Sequence, residues 1–314
     1  MKLRVTGILL AILMTLSLTL TAFAAAAEDP QPADEVSEVQ DEPVVSTSPF
    51  YLDGEQLADL EYQLIGGTNY VTVVSFLSAM STEAMVEEEN GTVVASCATV
   101  TEIVDITDGE DGAEEIVQAN VIEETLTFSA RENDCYVSAN GHYLYVGTCV
   151  MTVDGKVAVP IRTLARVFNL DVNYDAATRH VLLTSREDEG AYIPDAVYDE
   201  DTLYWLSHII YAESGNQPMV GKIAVGNVVM NRVNSPKFPN TIKDVLFQKN
   251  QFSPAASGSI YRTPNEDSVI AAKLVMEGAS VVPNALFFNR AGMNTYASRN
   301  RTYVATIGAH AFYD

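Results

Sequence analysis

Two periodicities divide the chain. Between Phe50 and Ser185 the apolar residues come in short runs of β-branched and aromatic side chains. Examples are Tyr70-Val71-Thr72-Val73-Val74, Gly91-Thr92-Val93-Val94-Ala95, Tyr143-Leu144-Tyr145-Val146 and His180-Val181-Leu182-Leu183-Thr184. Runs of this length and composition predict strands. From Asp199 onward the spacing changes. Leu203, Leu206, Ile210 and Glu213 fall at i, i+3, i+7 and i+10, one stripe of a helix. Asp199-Glu200-Asp201 offers that helix an N-cap and acids for its first turn. Ser214-Gly215-Asn216-Gln217-Pro218 stops it and starts a second helix over roughly Pro218 to Val233. There Ile223, Gly226, Val229 and Met230 face inward, and Gly226 permits close helix approach. Asn240 or Thr241 caps a short helix to Leu246, and Asn265-Glu266-Asp267 caps another that ends at Gly278. Leu286-Phe287-Phe288-Asn289 reads as a short strand or buried turn. The pattern predicts an α+β chain, strand-rich in front and mostly helical behind.

The front half contains a repeat. Val71–Leu77 lies over Val159–Ala165 at an offset of 88 residues, and Gly91–Ser96 over Arg179–Thr184 at the same offset. Each copy reads as a hairpin, a short helix and a strand. Asp154-Gly155 is a hairpin-turn dipeptide, and Thr163 to Phe168 suits the short helix. The acidic stretch Glu102–Glu124 falls between the copies and reads as a loop or a hairpin. Tyr192-Ile193-Pro194-Asp195 reads as a link between domains.

The first residues read differently again. Lys2 and Arg4 precede an apolar run from Gly7 to Leu20, followed by Ala22-Phe23-Ala24 and Ala25-Ala26-Ala27. That order is a secretory signal peptide, and its apolar core is short for a span of about 20 residues. Export of a mature chain without a transmembrane segment is the expectation. Glu28 to Pro43 is rich in acids and proline, with no basic or aromatic residue. Such a segment cannot bury enough apolar surface to order itself, which predicts a self-repelling spacer.

Charge sharpens this division. The 314 residues carry 18 Lys+Arg and 42 Asp+Glu, a formal charge of −24. Asp199–Asp314 contains 9 acidic and 10 basic residues, so the acidity belongs to the front. An acidic chain argues against a nucleic-acid binder, which needs a cationic face for phosphates. Cys97, Cys135 and Cys149 lack ligand spacing. In an exported chain either a Cys135–Cys149 disulfide or three thiols is open. His142 and His180 are isolated, so no metal site and no cofactor is expected.

Glu213 is the candidate for chemistry. It continues an apolar stripe and stands just before a glycine break. A carboxyl at the lip of an apolar cleft has its pKa raised by desolvation. That is the state a general acid needs to protonate a glycosidic oxygen near neutral pH. Periodicity alone favours a solvated helix-end glutamate over this reading.

The residues around it resemble a family. Ile210-Tyr211-Ala212-Glu213-Ser214-Gly215-Asn216-Gln217-Pro218, Gly221–Val233, Phe238-Pro239-Asn240-Thr241-Ile242, Gln251-Phe252-Ser253, Phe287-Phe288-Asn289 and Ile307-Gly308-Ala309-His310-Ala311-Phe312 occur in the order of the cell wall hydrolase family of the SleB type. The departures are Ser214 for alanine, Asn216-Gln217 for a Gly/Glu run, and the Arg290–Arg301 loop. The resemblance implies a lysozyme-like fold over 199–314 and cleavage of peptidoglycan glycan strands, often as a lytic transglycosylase. It also implies Glu213 as the catalytic glutamate. Tyr211, Gln251, Phe252, Phe288 and Asn289 are candidates for lining the sugar cleft, although the phenylalanines also suit a core. Arg232 and His310 suit structural roles. A hydrolytic muramidase, an N-acetylmuramoyl-L-alanine amidase and a non-catalytic wall-binding protein are the alternatives.

Asp154–Ala165, Val172-Asn173-Tyr174-Asp175 and Val181-Leu182-Leu183 resemble the copper-amine-oxidase N-terminal-like stalk module. In the first copy Thr72 and Val74 depart from its proline and arginine. Arg162 suits an ion pair or a cap, and the role this resemblance implies is a spacer or adhesive module. The predicted organisation is a signal peptide (1–26), an acidic linker (27–48), the doubled stalk (49–186), a link (187–198) and a hydrolase domain (199–314). The implied location is secreted, at the cell wall or spore.

Overall fold

The computed structural model describes residues 2–5, 48–80, 84–108, 114–186 and 189–314. The chain divides into two compact units. Of the smaller one, the strand Lys2–Val5 is seen antiparallel to Glu102–Asp105. That strand apart, the expected signal peptide and nearly all of the acidic linker lie outside the described residues. The larger unit, Pro49–Thr99 with Glu123–Asp314, holds the rest of the stalk and the helical domain.

The stalk's repeat is visible as a local two-fold. The strands Tyr62–Ile65 and Thr68–Thr72 turn at Gly66-Gly67, with φ of 57° and 82°. Met151–Val153 and Lys156–Pro160 turn at the equivalent Asp154-Gly155, with φ of 50° and 79°. Two successive positive φ values are what a tight hairpin needs to match strand twist. The two hairpins join edge to edge into one four-stranded sheet. Val71 faces Val159 there, and these are equivalent positions of the two copies. Each hairpin runs into a helix, α1 (Val73–Met80) or α2 (Ile161–Val167). Thr72, where the second copy has Pro160, accepts a hydrogen bond from the Ser75 amide and so caps α1. Arg162 is exposed and enters no ion pair among the described residues.

A second hairpin follows each helix, Met85–Glu89 with Thr92–Asp108 and Leu170–Asp175 with His180–Ser185. Each repeat is therefore hairpin, helix, hairpin. The last strand anticipated from sequence is the second arm of a pair. Most of the acidic stretch is strand rather than loop, within Thr92–Asp108 and Glu114–Arg131. Phe50, Phe76, Leu77, Leu126, Leu144, Leu164 and Leu183 fill the stalk core.

The helical domain is built on α3 (Glu200–Ser214), α4 (Met219–Val233) and α7 (Glu266–Met276), which pack on one another. The Asp199 carboxylate accepts from the Thr202 amide, and Asn265 caps α7 by accepting from Ser268. Gly226 sits where the three helices meet. A Cβ there would stand 2.9 Å from Val275 Cγ2 and 3.0 Å from Ile210 Cδ1. The short helices α5 (Ile242–Phe247), α6 (Ser253–Ser257) and α8 (Tyr296–Asn300) complete the domain with a three-stranded sheet. In that sheet His310–Tyr313 lies between Phe287–Arg290 and Tyr303–Ile307.

Stalk and helical domain share packing. Cys135 is buried in the helical core, and Tyr136, Tyr143 and Tyr145 of the stalk pack against it. All three cysteines are free thiols. The connecting segment is tied down. Ile193 donates from its amide to Val167 O at 2.8 Å, Asn140 Nδ2 donates to Ile193 O at 2.8 Å, and Asn169 Nδ2 to Tyr192 O at 2.7 Å. Glu277, just past α7, is held by the stalk. Arg166 Nη2 lies 2.7 Å from Oε2, His142 Nδ1 2.5 Å from Oε1, and Tyr198 donates to Oε1 at 3.2 Å.

Candidate active site

The stripe of α3 ends at Glu213. Leu206 and Ile210 are fully buried, so the last turn is anchored in the core while Glu213 is half-buried at its end. Ser214 Oγ donates to Ile210 O at 2.7 Å, and the Gly215 amide donates to Tyr211 O at 2.9 Å. A Cβ at Gly215 would lie 2.7 Å from that same oxygen and 2.8 Å from the Tyr211 ring, so the chain leaves the helix through glycine.

The loop after Glu213 is held from three directions. Asn265 Nδ2 donates to Gly215 O at 3.5 Å, and the buried Lys222 Nζ donates to Gln217 O at 2.6 Å. Lys222 also pairs with Asp267 at 3.5 Å, joining α4 to the first turn of α7. Gln217 Oε1 accepts from the Ala309 amide at 2.8 Å, which ties the loop to the turn between the last two strands. Gly308 in that turn has φ of 57° and lies directly over Gln217 Oε1. The departure Asn216-Gln217 thus has a structural role, because the Gln217 amide oxygen caps the turn.

Burial pushes the Glu213 carboxyl up to about 6 from 4.5. No hydrogen bond or charge partner opposes that shift among the described residues. Desolvation disfavours the carboxylate, so the proton is held to a higher pH. His310, one residue beyond Ala309, has its pKa lowered by burial. Its ring lies 5.4 Å from Phe288 and 6.3 Å from Phe312, and its Nδ1 is buried without a hydrogen-bond partner.

The predicted cleft residues differ in burial and in what they contact. Tyr211 is half-buried on α3, two residues before Glu213. Gln251 is exposed in the turn before α6. Phe252 is 4 % exposed and belongs to the core. Phe288 packs 6.4 Å from Phe252 and 5.9 Å from Phe312, on the face of the sheet that carries His310. Asn289, one residue on, points to the opposite face, as strand alternation requires. There Nδ2 donates to Thr295 Oγ1 at 3.2 Å while Oδ1 is buried and unpartnered. Arg232 is structural. Its Nε donates to Leu286 O at 2.7 Å, and its guanidinium lies 4.9 Å from the Phe238 ring and 5.0 Å from Phe252. Lys222 and Gln217 escaped the sequence reading. A lysine on the inward side of an otherwise apolar second helix was the available signal for the first.

No group of three or more His, Cys, Asp or Glu side chains suited to a metal ion occurs among the described residues. No helix among them is long and apolar enough to cross a membrane.

Residues 216–313 match the Cell Wall Hydrolase family, and residues 73–183 match the copper amine oxidase N-terminal domain. The chain carries a cell wall hydrolase domain behind a copper-amine-oxidase-type N-terminal domain. Among individual proteins, it is 33% identical over 127 residues to a spore cortex-lytic enzyme of Bacillus cereus, covering 40% of this chain and 49% of that one. It is 31% identical over 132 residues to the spore cortex-lytic enzyme of Halalkalibacterium halodurans, covering 40% of each chain. The chain thus spans about half or less of the length of these relatives. The solved catalytic domain of the germination-specific lytic transglycosylase SleB from Bacillus anthracis is 32% identical over 39% of this chain and 100% of that one, with a TM-score of 0.35.

Proposed function

We propose that the hydrolase domain cleaves the glycan backbone of peptidoglycan between MurNAc and GlcNAc, as a lytic transglycosylase working through Glu213. The observation that carries this reading is a carboxyl at the end of an apolar helix stripe, its pKa pushed up to about 6 by burial. Protonated Glu213 gives its proton to the glycosidic oxygen as the C1–O bond breaks. The resulting carboxylate then takes the proton of the sugar's 6-hydroxyl as that oxygen closes on C1. The product is a 1,6-anhydro end, Glu213 recovers its proton, and no water is consumed. One carboxyl serves both halves, whereas hydrolysis calls on a second group to activate water or to attack. Lys222, Gln217 and Asn265 hold the loop beside Glu213 and keep that carboxyl in place.

Substrate-lining roles for Tyr211 and Phe288 fit their half-buried positions. Gln251 is exposed and free to meet a sugar, Asn289 retains an unpartnered oxygen, and Phe252 supports Phe288 from below. The signal-peptide pattern supports export, to the wall or spore where the proposed substrate lies. Reading fragment masses after incubation with vegetative peptidoglycan or spore cortex tests the proposal. Anhydro-MurNAc ends that disappear in Glu213→Gln are expected. New reducing ends carrying an added water would replace transglycosylase by muramidase, and released peptides on intact glycan would overturn both.

A further inference from the structure

The hydrolase domain has a second feature that Glu213 chemistry does not use. A crevice of about 330 Å3 opens beside the rings of Phe238 and Phe287, rimmed by Lys237, Asn300, Arg301 and Asp314. A volume of that size takes a small organic ligand. The Arg301 guanidinium is laid out by stacking, 4.7 Å from the Phe287 ring and 5.8 Å from Tyr296. Its backbone amide is fixed on Ala297 O at the end of α8. A third cation, Arg232, lies beneath the same two rings, 4.9 Å from Phe238 and 5.4 Å from Phe287. Neither Lys237 nor Arg301 forms an ion pair among the described residues, and Asp314 is the one acid of the lining.

The surrounding sequence has the same sign. From Gly278 to Tyr313 the chain contains Arg290, Arg299 and Arg301 and no acidic residue, within a protein of formal charge −24. Unpaired cations set beside two aromatic rings recognise an anion carried on a short stem. Arginine presents a planar fork that matches a carboxylate. The glycan strand of peptidoglycan bears peptides with free carboxylates.

We propose that this crevice is an accessory subsite that holds a carboxylate of the peptide attached to the glycan strand, so that the enzyme favours peptide-bearing over bare glycan. The proposal rests on the glycan-cleaving reading for its substrate, but its binding arm is separate from it. The full chain is titrated with the dipeptide L-Ala-γ-D-Glu and with its diamide, following the Arg301 Nε–Hε resonance. The expected result is a saturating shift with the dipeptide, weakened by salt, and none with the diamide. Lys237→Gln/Arg301→Gln should abolish binding, and Arg301→Lys should retain part of it. Dipeptide and diamide acting alike, or glycerol phosphate binding more tightly than the dipeptide, would overturn the assignment.

In the second arm kcat/KM is compared on peptide-bearing strands and on strands stripped of peptide. The wild type should favour the former three- to tenfold, and the double variant should bring the ratio to about 1. Those sizes are expected of one or two partly exposed charge pairs. An unchanged ratio would refute the subsite. If no strand is cut, the glycan-cleaving reading fails, and the dipeptide titration still decides the site.

Discussion

Replacing Glu213 by glutamine should abolish turnover and, at neutral pH, make the protein more stable. The folded state holds the Glu213 proton up to about pH 6, against 4.5 when the group is solvated. Between those values the folded state binds more protons than the unfolded one, so stability falls as pH rises. The loss starts near pH 4.5, is complete above pH 6, and amounts to about 2 kcal/mol at 1.36 kcal/mol per pK unit. Glutamine occupies nearly the same volume and carries no charge to desolvate. Glu213→Gln should therefore match the wild type at pH 4 and exceed it by about 2 kcal/mol at pH 7. Trp205 is the protein's one tryptophan and is buried on α3, the helix that ends at Glu213. Its fluorescence during urea unfolding at pH 4 to 7.5 reads the hydrolase domain directly. A difference that does not change with pH, or a variant that is weaker at pH 7, would show that burial does not raise this carboxyl.

Other consequences follow from the same geometry. Because the acid must be protonated to begin the reaction, kcat/KM should fall about tenfold per pH unit above pH 6; a flat profile to pH 8 would remove Glu213 from the acid role. Glu277→Ala leaves His142, Arg166 and Tyr198 without their shared carboxylate. It should cost about 1–2 kcal/mol by urea unfolding, the sum of a partly exposed ion pair and two side-chain hydrogen bonds. Gly226→Ala should lower stability by about 1–3 kcal/mol, since its Cβ would press on Val275 and Ile210. Gln217→Ala should lower kcat several-fold with little change in KM, by releasing the loop beside Glu213 from Ala309; an unchanged kcat would show that the tether does not position the acid.

The helices of the hydrolase domain were legible because their signals are local. Asp199, Thr241 and Asn265 each accept the hydrogen bond expected of an N-cap. The stripe Leu206–Ile210–Glu213 was visible as spacing, and the close approach at Gly226 as a small residue on an inward face. The three-stranded sheet was harder to see. Its strands are short and meet across loops, so pairing rather than residue pattern makes them. The faces of Phe288 and Asn289 follow from strand alternation, yet which face meets the helices depended on Phe312 opposite Phe288.

The stalk divides in the same way. The offset of 88 residues and the Asp154-Gly155 turn were plain in the sequence, but the pairing of Val71 with Val159 arises only when the two copies meet. Tyr192–Asp195 has the composition of a link, yet Asn140 and Asn169 bind it to the stalk. Glu277, just past α7, joins that helix to α2 and to His142, residues more than 100 positions away in the chain.

By itself the sequence determined the two periodicities, the repeat, the concentration of acid in the front half, and the place of Glu213 at the end of an apolar stripe. Each of these is a property of neighbours along the chain or of composition. Only the tertiary structure decided that Glu213 is desolvated without a partner, that Lys222, Gln217 and Asn265 hold its loop, and that cations gather around Phe238 and Phe287. Burial, and contact between residues distant in sequence, exist only once the helices and strands have packed.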